Sequence, residues 1–217
     1  MQYFKDRVQA GDELAKLLLR YRDSQSVIVA LSAGGVLVGA RIADTLHLPL
    51  GMLAVKEIHL PWKDAPIVGS VDSSGEYTKN ISLGEATLSD FEGEYRSYID
   101  QEILRATHEI NLMHVSNIMK RERLRGKAVI LVSDGLKEIT PIQEAIAYLK
   151  PVSTTRLIAA IPVATVEAID FLHISVDEIH CLDVKANYLD TNHYYETDEQ
   201  PDYEALTELL VHYDTAN

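Results

Sequence analysis

Two runs of residues constrain this chain more than anything else in it. Ser26-Val-Ile-Val-Ala-Leu31 and Ala128-Val-Ile-Leu-Val132 are short, apolar and rich in β-branched side chains, with no polar alternation. A strand with one wet face alternates, whereas a strand buried on both faces does not. Each run leads through glycine into a helical pattern. Gly34-Gly35 open a helix through Leu46, and Ser133-Asp134-Gly135 precede a helix opening at Thr140. Strands alternating with helices predict an α/β fold, an open, mostly parallel sheet flanked by helices.

The remaining periodicities fill in that frame. Residues 7–21, 164–172 and 202–213 read as helices, and residues 50–55, 156–161 and 178–182 as strands. Residues 67–83 hold two β-prone stretches around Asp72-Ser-Ser-Gly-Glu76, which predicts a β-hairpin. A long helix is predicted over 89–113, with Phe91, Tyr95, Ile99, Ile103, Ala106, Ile110 and Met113 at spacings of three and four. That stripe suits either the core or a dimer face. Thr140, Pro141 and Gln143 have the order of a capping box with proline in the first turn. No repeat or linker composition breaks the chain, so residues 1–217 read as a single domain.

Composition narrows the function. The net charge is −13, which argues against nucleic acid or an anionic membrane as partner. From Asp177 onward there are eleven acids and one base, Lys185. The charge is therefore concentrated in the tail, and a local basic pocket elsewhere is compatible with it. The basic run Lys120–Lys127 reads as solvated charge ahead of a strand. One cysteine, Cys181, allows no intrachain disulfide. The eight histidines show no metal-site spacing, so no metal site is expected. With no apolar signal region at the start, the expected location is the cytoplasm.

Ligands of open parallel sheets bind beyond the carboxyl ends of the strands. That directs attention to Ser32–Gly35, Lys56–Pro61 and Ser133–Thr140. Val129-Ile-Leu-Val-Ser-Asp-Gly135 is the strongest local signal: an apolar strand that delivers a carboxylate and a glycine ahead of a helix start. A carboxylate there can hold sugar hydroxyls, and free helix N–H groups can hold a phosphate. An ordinary strand-to-helix turn has the same look.

These residues resemble the ribose-phosphate motif of type I phosphoribosyltransferases, which reads two acids, glycine, a connector and Thr-Gly-x-Thr. Other segments resemble one bacterial and archaeal branch of that superfamily, in order along the chain. They are Phe4-x-Asp6-Arg7-x-x-Ala10-Gly11, Ala30-Leu-Ser-Ala-Gly-Gly-Val-Leu-Val-Gly39, Val55-Lys-Glu-Ile-His-Leu-Pro61, Gly126-Lys-x-Val-Ile-Leu-Val132 and Ala160-Ile-Pro-Val163. The resemblance implies a type I phosphoribosyltransferase-like fold with a small hood, in which the β-hairpin is an insertion. It implies a donor, phosphoribosyl pyrophosphate, carried with Mg2+. Asp134 would hold the ribose and stabilise charge as the bond to pyrophosphate breaks. Ser32, Ala33, Gly34, Gly35 and Lys56 would line the pyrophosphate side. Ser133, Gly135, Leu136, Lys137 and Thr140 would line the sugar-phosphate side.

The chain departs from the family pattern at those same places. Ser133 stands for the first acid, Ala33 for an arginine and Glu57 for a lysine. Leu136-Lys-Glu-Ile-Thr-Pro141 stands for Ile-Ala-Thr-Gly-Ala-Thr. Ile139 replaces the glycine that lets the backbone approach a phosphate. Glu138 adds a charge whose repulsion from a phosphate about 4 Å away is on the order of 4 kcal/mol at an effective dielectric near 20. The expectation is a phosphoribosyltransferase-like protein with a degraded donor site, catalytically impaired and acting in binding or regulation. Two alternatives stand beside it: an active transferase moving ribose 5-phosphate to a nitrogenous base, and an interaction partner using its acidic tail. A small phosphate or nucleotide ligand and a homodimer are the partners left open.

Overall fold

The computed structural model describes residues 4–63, 65–72, 75–80, 83–112, 119–150 and 152–214. The chain divides into two compact units, residues 1–53 with 115–217, and residues 54–114.

The larger unit is a five-stranded sheet of β1 (Ser26–Ala30), β2 (Leu50–Met52), β6 (Ala128–Val132), β7 (Arg156–Thr165) and β8 (Glu178–Lys185). Strand order is β2-β1-β6-β7-β8, and every neighbouring pair is parallel. All five residues of β1 are buried, as its unbroken apolar run requires. Helix α2 (Ala33–Leu46) connects β1 to β2. Helix α5 (Thr140–Leu149) connects β6 to β7, and α6 (Val166–Ser175) connects β7 to β8. The chain moves one way across the sheet through α2 and the other way through α5 and α6. Right-handed crossovers then put α2 on one face and α5 and α6 on the other. Helix α1 (Arg7–Leu17) packs on α2 and reaches β7 and β8, and α7 (Tyr203–Asp214) packs on α2 and β2. Leu14, Leu18, Ile28, Ile42, Leu46, Leu50, Ile130, Ile158 and Leu210 share one core cluster.

Element ends differ from the sequence expectation where bonds outside the segment decide them. The helix over 7–21 closes at Leu17, and a 3-10 turn takes Leu19–Tyr21. Strand β7 runs past Ile161 to Thr165 because its pairing with β8 continues to Lys185 and the backbone of Leu136 bridges to it. The Leu136 N–H donates to the Val163 carbonyl at 2.9 Å, and the Thr165 N–H donates to Leu136 at 3.0 Å. Helix α6 then opens at Val166 rather than Ala164, and the hydroxyl of Thr165 before it accepts from the Ala168 N–H. Thr140 is not the cap of α5. It already lies inside the helix, and Ile139 occupies the cap position with helical backbone and no side-chain bond. Arg121 of the basic run lies on α4 (Arg121–Leu124), donates to the Tyr148 carbonyl and stacks over that ring at 4.4 Å.

The smaller unit is an antiparallel sheet of β3 (Val55–His59), β4 (Ile67–Asp72) and β5 (Tyr77–Lys79), in that order, packed on α3 (Glu85–Leu112). The strand expected over 50–55 is two strands. Leu53 N–H makes its bond to the Ala30 carbonyl at 2.9 Å, and the chain then starts β3. The β4–β5 pairing is the expected hairpin. Asp72 accepts from the Glu76 N–H, and Gly75 adopts a φ of +81° that glycine tolerates. Residues 73–74 of that turn, and Met113 of the long helix, lie outside the described residues. Within α3 the backbone leaves helical geometry at Tyr95, with φ −111° and ψ 18°. Trp62 is a loop anchor there, edge-on to Tyr95 at 5.3 Å and to Phe91 at 6.1 Å. None of the described helices is long and apolar enough to cross a membrane.

Candidate functional site

In a sheet ordered this way, the direction of winding reverses between β1 and β6. Loops leaving the two strands diverge to opposite faces and leave a crevice between them. The segments that follow are Leu31–Gly35 and Ser133–Leu136, so the topology alone brings the two glycine-bearing motifs to one place.

Asp134 is the centre of that place. It is buried, and each carboxylate oxygen is engaged. Oδ2 accepts from Arg7 Nε at 2.9 Å, and Oδ1 accepts from the Ser32 hydroxyl at 2.8 Å. Ser32 caps α2 at the same time, because its Oγ accepts from the Gly35 N–H at 2.9 Å. One hydroxyl thus links a helix N-terminus to the acid at the end of β6. Ser133 turns inward on its own loop, donating to the Gly135 carbonyl at 2.7 Å.

Close approach explains the glycines. A Cβ on Gly34 would fall 2.0 Å from Asp134 Oδ2 and 2.7 Å from Arg7 Nε. A Cβ on Gly35 would fall 2.9 Å from the Val132 carbonyl. On Gly135 it would meet Tyr188 Oη at 2.4 Å and Thr191 Cγ2 at 2.7 Å. Here glycine is needed so that protein groups can pack against the loops.

Sequence reasoning did not assign a role to Arg7, which is 1% exposed and organises the whole site. Beyond Asp134 it donates to Asn192 Oδ1 at 2.8 Å and to Asp198 at 3.1 Å. Its guanidinium lies 4.6 Å from the centre of the Tyr195 ring. Burial works against the cation, but the bond to Asp134 and its charge outweigh that and raise the Arg7 pKa. Tyr195 donates its hydroxyl to the Asp134 carbonyl. Burial, followed by the Asp134 charge, raises that phenol's pKa well above its ordinary value. Burial likewise pushes Tyr188 up to about 12. The aromatic tail packs on the core: Tyr194 is 1% exposed and the backbone of Phe4 pairs with it. The only trace of Arg7 in the sequence was its place in the Phe4-x-Asp6-Arg7 match.

Of the expected site residues, Ser32, Gly34, Gly35, Ser133, Asp134 and Gly135 converge at the switch point. Ala33 is the first residue of α2 and is half-buried. Leu136 is buried against β7, Lys137 and Glu138 are exposed, and Thr140 opens α5. Lys56 belongs to the other unit, where it is ion-paired with Glu109. Among the described residues, no three His, Cys, Asp or Glu side chains are grouped so as to hold a metal ion. Cys181 donates to the Asp183 carbonyl, and burial pushes its thiol up to about 11.

No family profile matches the chain. Two curated proteins of Mycobacterium tuberculosis, from strains CDC 1551 and H37Rv and provisionally named phosphoribosyl transferases, are 23% identical to it over 189 residues, 84% of this chain. The chain spans 40% of the length of those relatives. The crystal structure of TT1426 from Thermus thermophilus superposes with a TM-score of 0.78 at 25% identity, covering 98% of this chain and 99% of that one. In sequence along most of its length, and in the parallel sheet whose β6 leads into Asp134-Gly135, the chain is phosphoribosyltransferase-like.

Proposed function

We propose that this phosphoribosyltransferase-like protein has a degraded donor site, is impaired as a transferase, and acts by binding a small phosphate-bearing ligand or by regulating a partner. The observation that carries this reading is the engagement of Asp134. A ribose-binding acid must offer its oxygens to the sugar. Here both oxygens already accept a protein donor, and the residue is 7% exposed. The rest of the strand end offers no replacement. Ser133 is neutral and bonded to its own loop. Glu138 and Ile139 stand where the family holds the phosphate.

These residues do not fit a magnesium–phosphoribosyl pyrophosphate complex, so no transfer step is assigned to them. The cytoplasm is the location we favour, in keeping with a lone, protonated cysteine.

Calorimetry with phosphoribosyl pyrophosphate and Mg2+ tests the reading. Wild-type protein is expected to give no heat of binding at micromolar concentrations. The double variant Glu138→Thr, Ile139→Gly restores the family residues and removes the repulsive charge, so it is expected to gain affinity. Micromolar binding by the wild type, lost in Asp134→Asn, would overturn the proposal, as would pyrophosphate release with any base in a panel.

A further inference from the structure

Arg7 is held by two carboxylates, and one of them is enough to neutralise it. Asp134 is buried beside it and supplies the counter-charge that a buried cation requires. The second, Asp198, accepts from Arg7 Nη1 at 3.1 Å, yet its own side chain is 46% exposed. On this side, a single half-exposed side chain separates the buried guanidinium from solvent. Asp198 can also leave without breaking an element. It follows the bond from the Thr197 N–H to the Lys5 carbonyl at 3.0 Å, and residues 198–202, ahead of α7, form neither helix nor strand. Asn192 is held differently. It lies in the 3-10 turn Thr191–Tyr194, next but one to the buried Tyr194, and accepts from Arg7 Nη2 at 2.8 Å.

Moving Asp198 outward would therefore turn Nη1 to solvent while Asp134 at Nε and Asn192 at Nη2 keep the guanidinium in place. What results is a positioned arginine beside the strand-end loop, and its planar fork suits the oxygens of a phosphate. The cation on the loop itself, Lys137, is exposed, and Lys56 belongs to the other unit. We propose that Asp198 is an intramolecular stand-in for a ligand's phosphate group: it covers an anion subsite on Arg7 Nη1, which the phosphate takes by displacing it. This inference rests on the reading above that the protein binds a phosphate-bearing ligand, and it names the cation that receives the phosphate and the residue that guards it. The apparent affinity is then the intrinsic one reduced by the fraction of molecules in which Asp198 has let go.

Calorimetric titration of the full chain with inorganic phosphate tests this. Asp198→Asn keeps the size of the side chain and removes its charge, and is expected to bind phosphate about fivefold or more tightly than the wild type. Glu199→Gln removes the same charge one residue away, from an exposed side chain, and at physiological ionic strength is expected to stay within about twofold of the wild type. Adding Asn192→Asp to Asp198→Asn returns a carboxylate to Arg7 at Nη2 and is expected to abolish the gain. Far-UV circular dichroism checks that each variant is folded, and the first two variants decide the matter even where the third does not fold. No gain in Asp198→Asn, an equal gain in Glu199→Gln, or a gain that survives Asn192→Asp would each overturn the proposal. Binding of phosphoribosyl pyrophosphate with Mg2+ by the wild type would overturn the donor-site reading instead and leave this comparison of variants standing.

Discussion

Arg7 and Asp134 form a buried ion pair, and at the scale of single residues it decides more than any other contact. Taking two charges out of water is costly, and the pair holds because partners are supplied: Ser32 serves the Asp134 carboxylate, and Asn192 and Asp198 serve Arg7. Removing Asp134 leaves Arg7 buried with only the exposed Asp198 as counter-charge, which costs on the order of 3–5 kcal/mol. Asp134→Ala is therefore expected to lower the unfolding free energy by about that amount, read from urea denaturation, while Asp134→Asn, which keeps the acceptor for Ser32, is expected to lose less. Tyr21 is the opposite case. Its hydroxyl is the buried side-chain atom without a partner among the described residues. Tyr21→Phe removes an unsatisfied group and is expected to be neutral or to stabilise by up to about 1 kcal/mol. A clear loss of stability on that substitution would mean the hydroxyl has a partner after all.

At the scale of elements, the tail segment around Tyr188–Tyr195 is held on the strand-end loops by fit and not by regular pairing alone. Gly135 permits that fit, since its missing Cβ leaves room for Tyr188 and Thr191. Gly135→Ala is expected to push the segment outward, and limited proteolysis within residues 186–200 reads this as faster cleavage relative to wild type. Unchanged cleavage would show that the loop shifts instead. The start of α5 illustrates a different element-level outcome. Thr140-Pro141 has the letters of a helix start, and the helix does start there, but Ile139 rather than a hydroxyl residue precedes it. Its first N–H groups consequently lack the side-chain cap that Ser32 gives α2.

For the molecule as a whole, the buried thiol and phenols point in one direction. Cys181 is pushed by burial up to about 11, Tyr77 and Tyr188 up to about 12, and Tyr195 and Tyr213 are raised further, again chiefly by burial. Each folded pKa lies above its unfolded value of 9.0 for the thiol or 10.0 for the phenols. The unfolded chain therefore releases these protons first as pH rises. The stability they contribute is complete below pH 9.0, begins to fall there with Cys181 and falls further above pH 10.0 as the phenols of the unfolded chain ionise. Thermal melts from about pH 8 to about pH 12 are expected to show a flat melting temperature followed by a steep fall. A melting temperature that holds through about pH 11 would contradict the burial of these groups.

The sequence by itself determined which segments are buried strands and that helices separate them. Those facts are legible because period and composition are local properties: a strand buried on both faces must be apolar at every position, whatever its neighbours are. Strand order, the split of residues 50–59 into β2 and β3, and the extension of β7 beside Leu136 were decided by bonds between segments far apart in the chain. The same holds for the site. Arg7 meets Asp134 across 127 positions and Asp198 across 191, and periodicity records that a side chain is buried but not which partner makes its burial tolerable. Only the folded chain put a buried cation on the carboxylate that the strand end delivers.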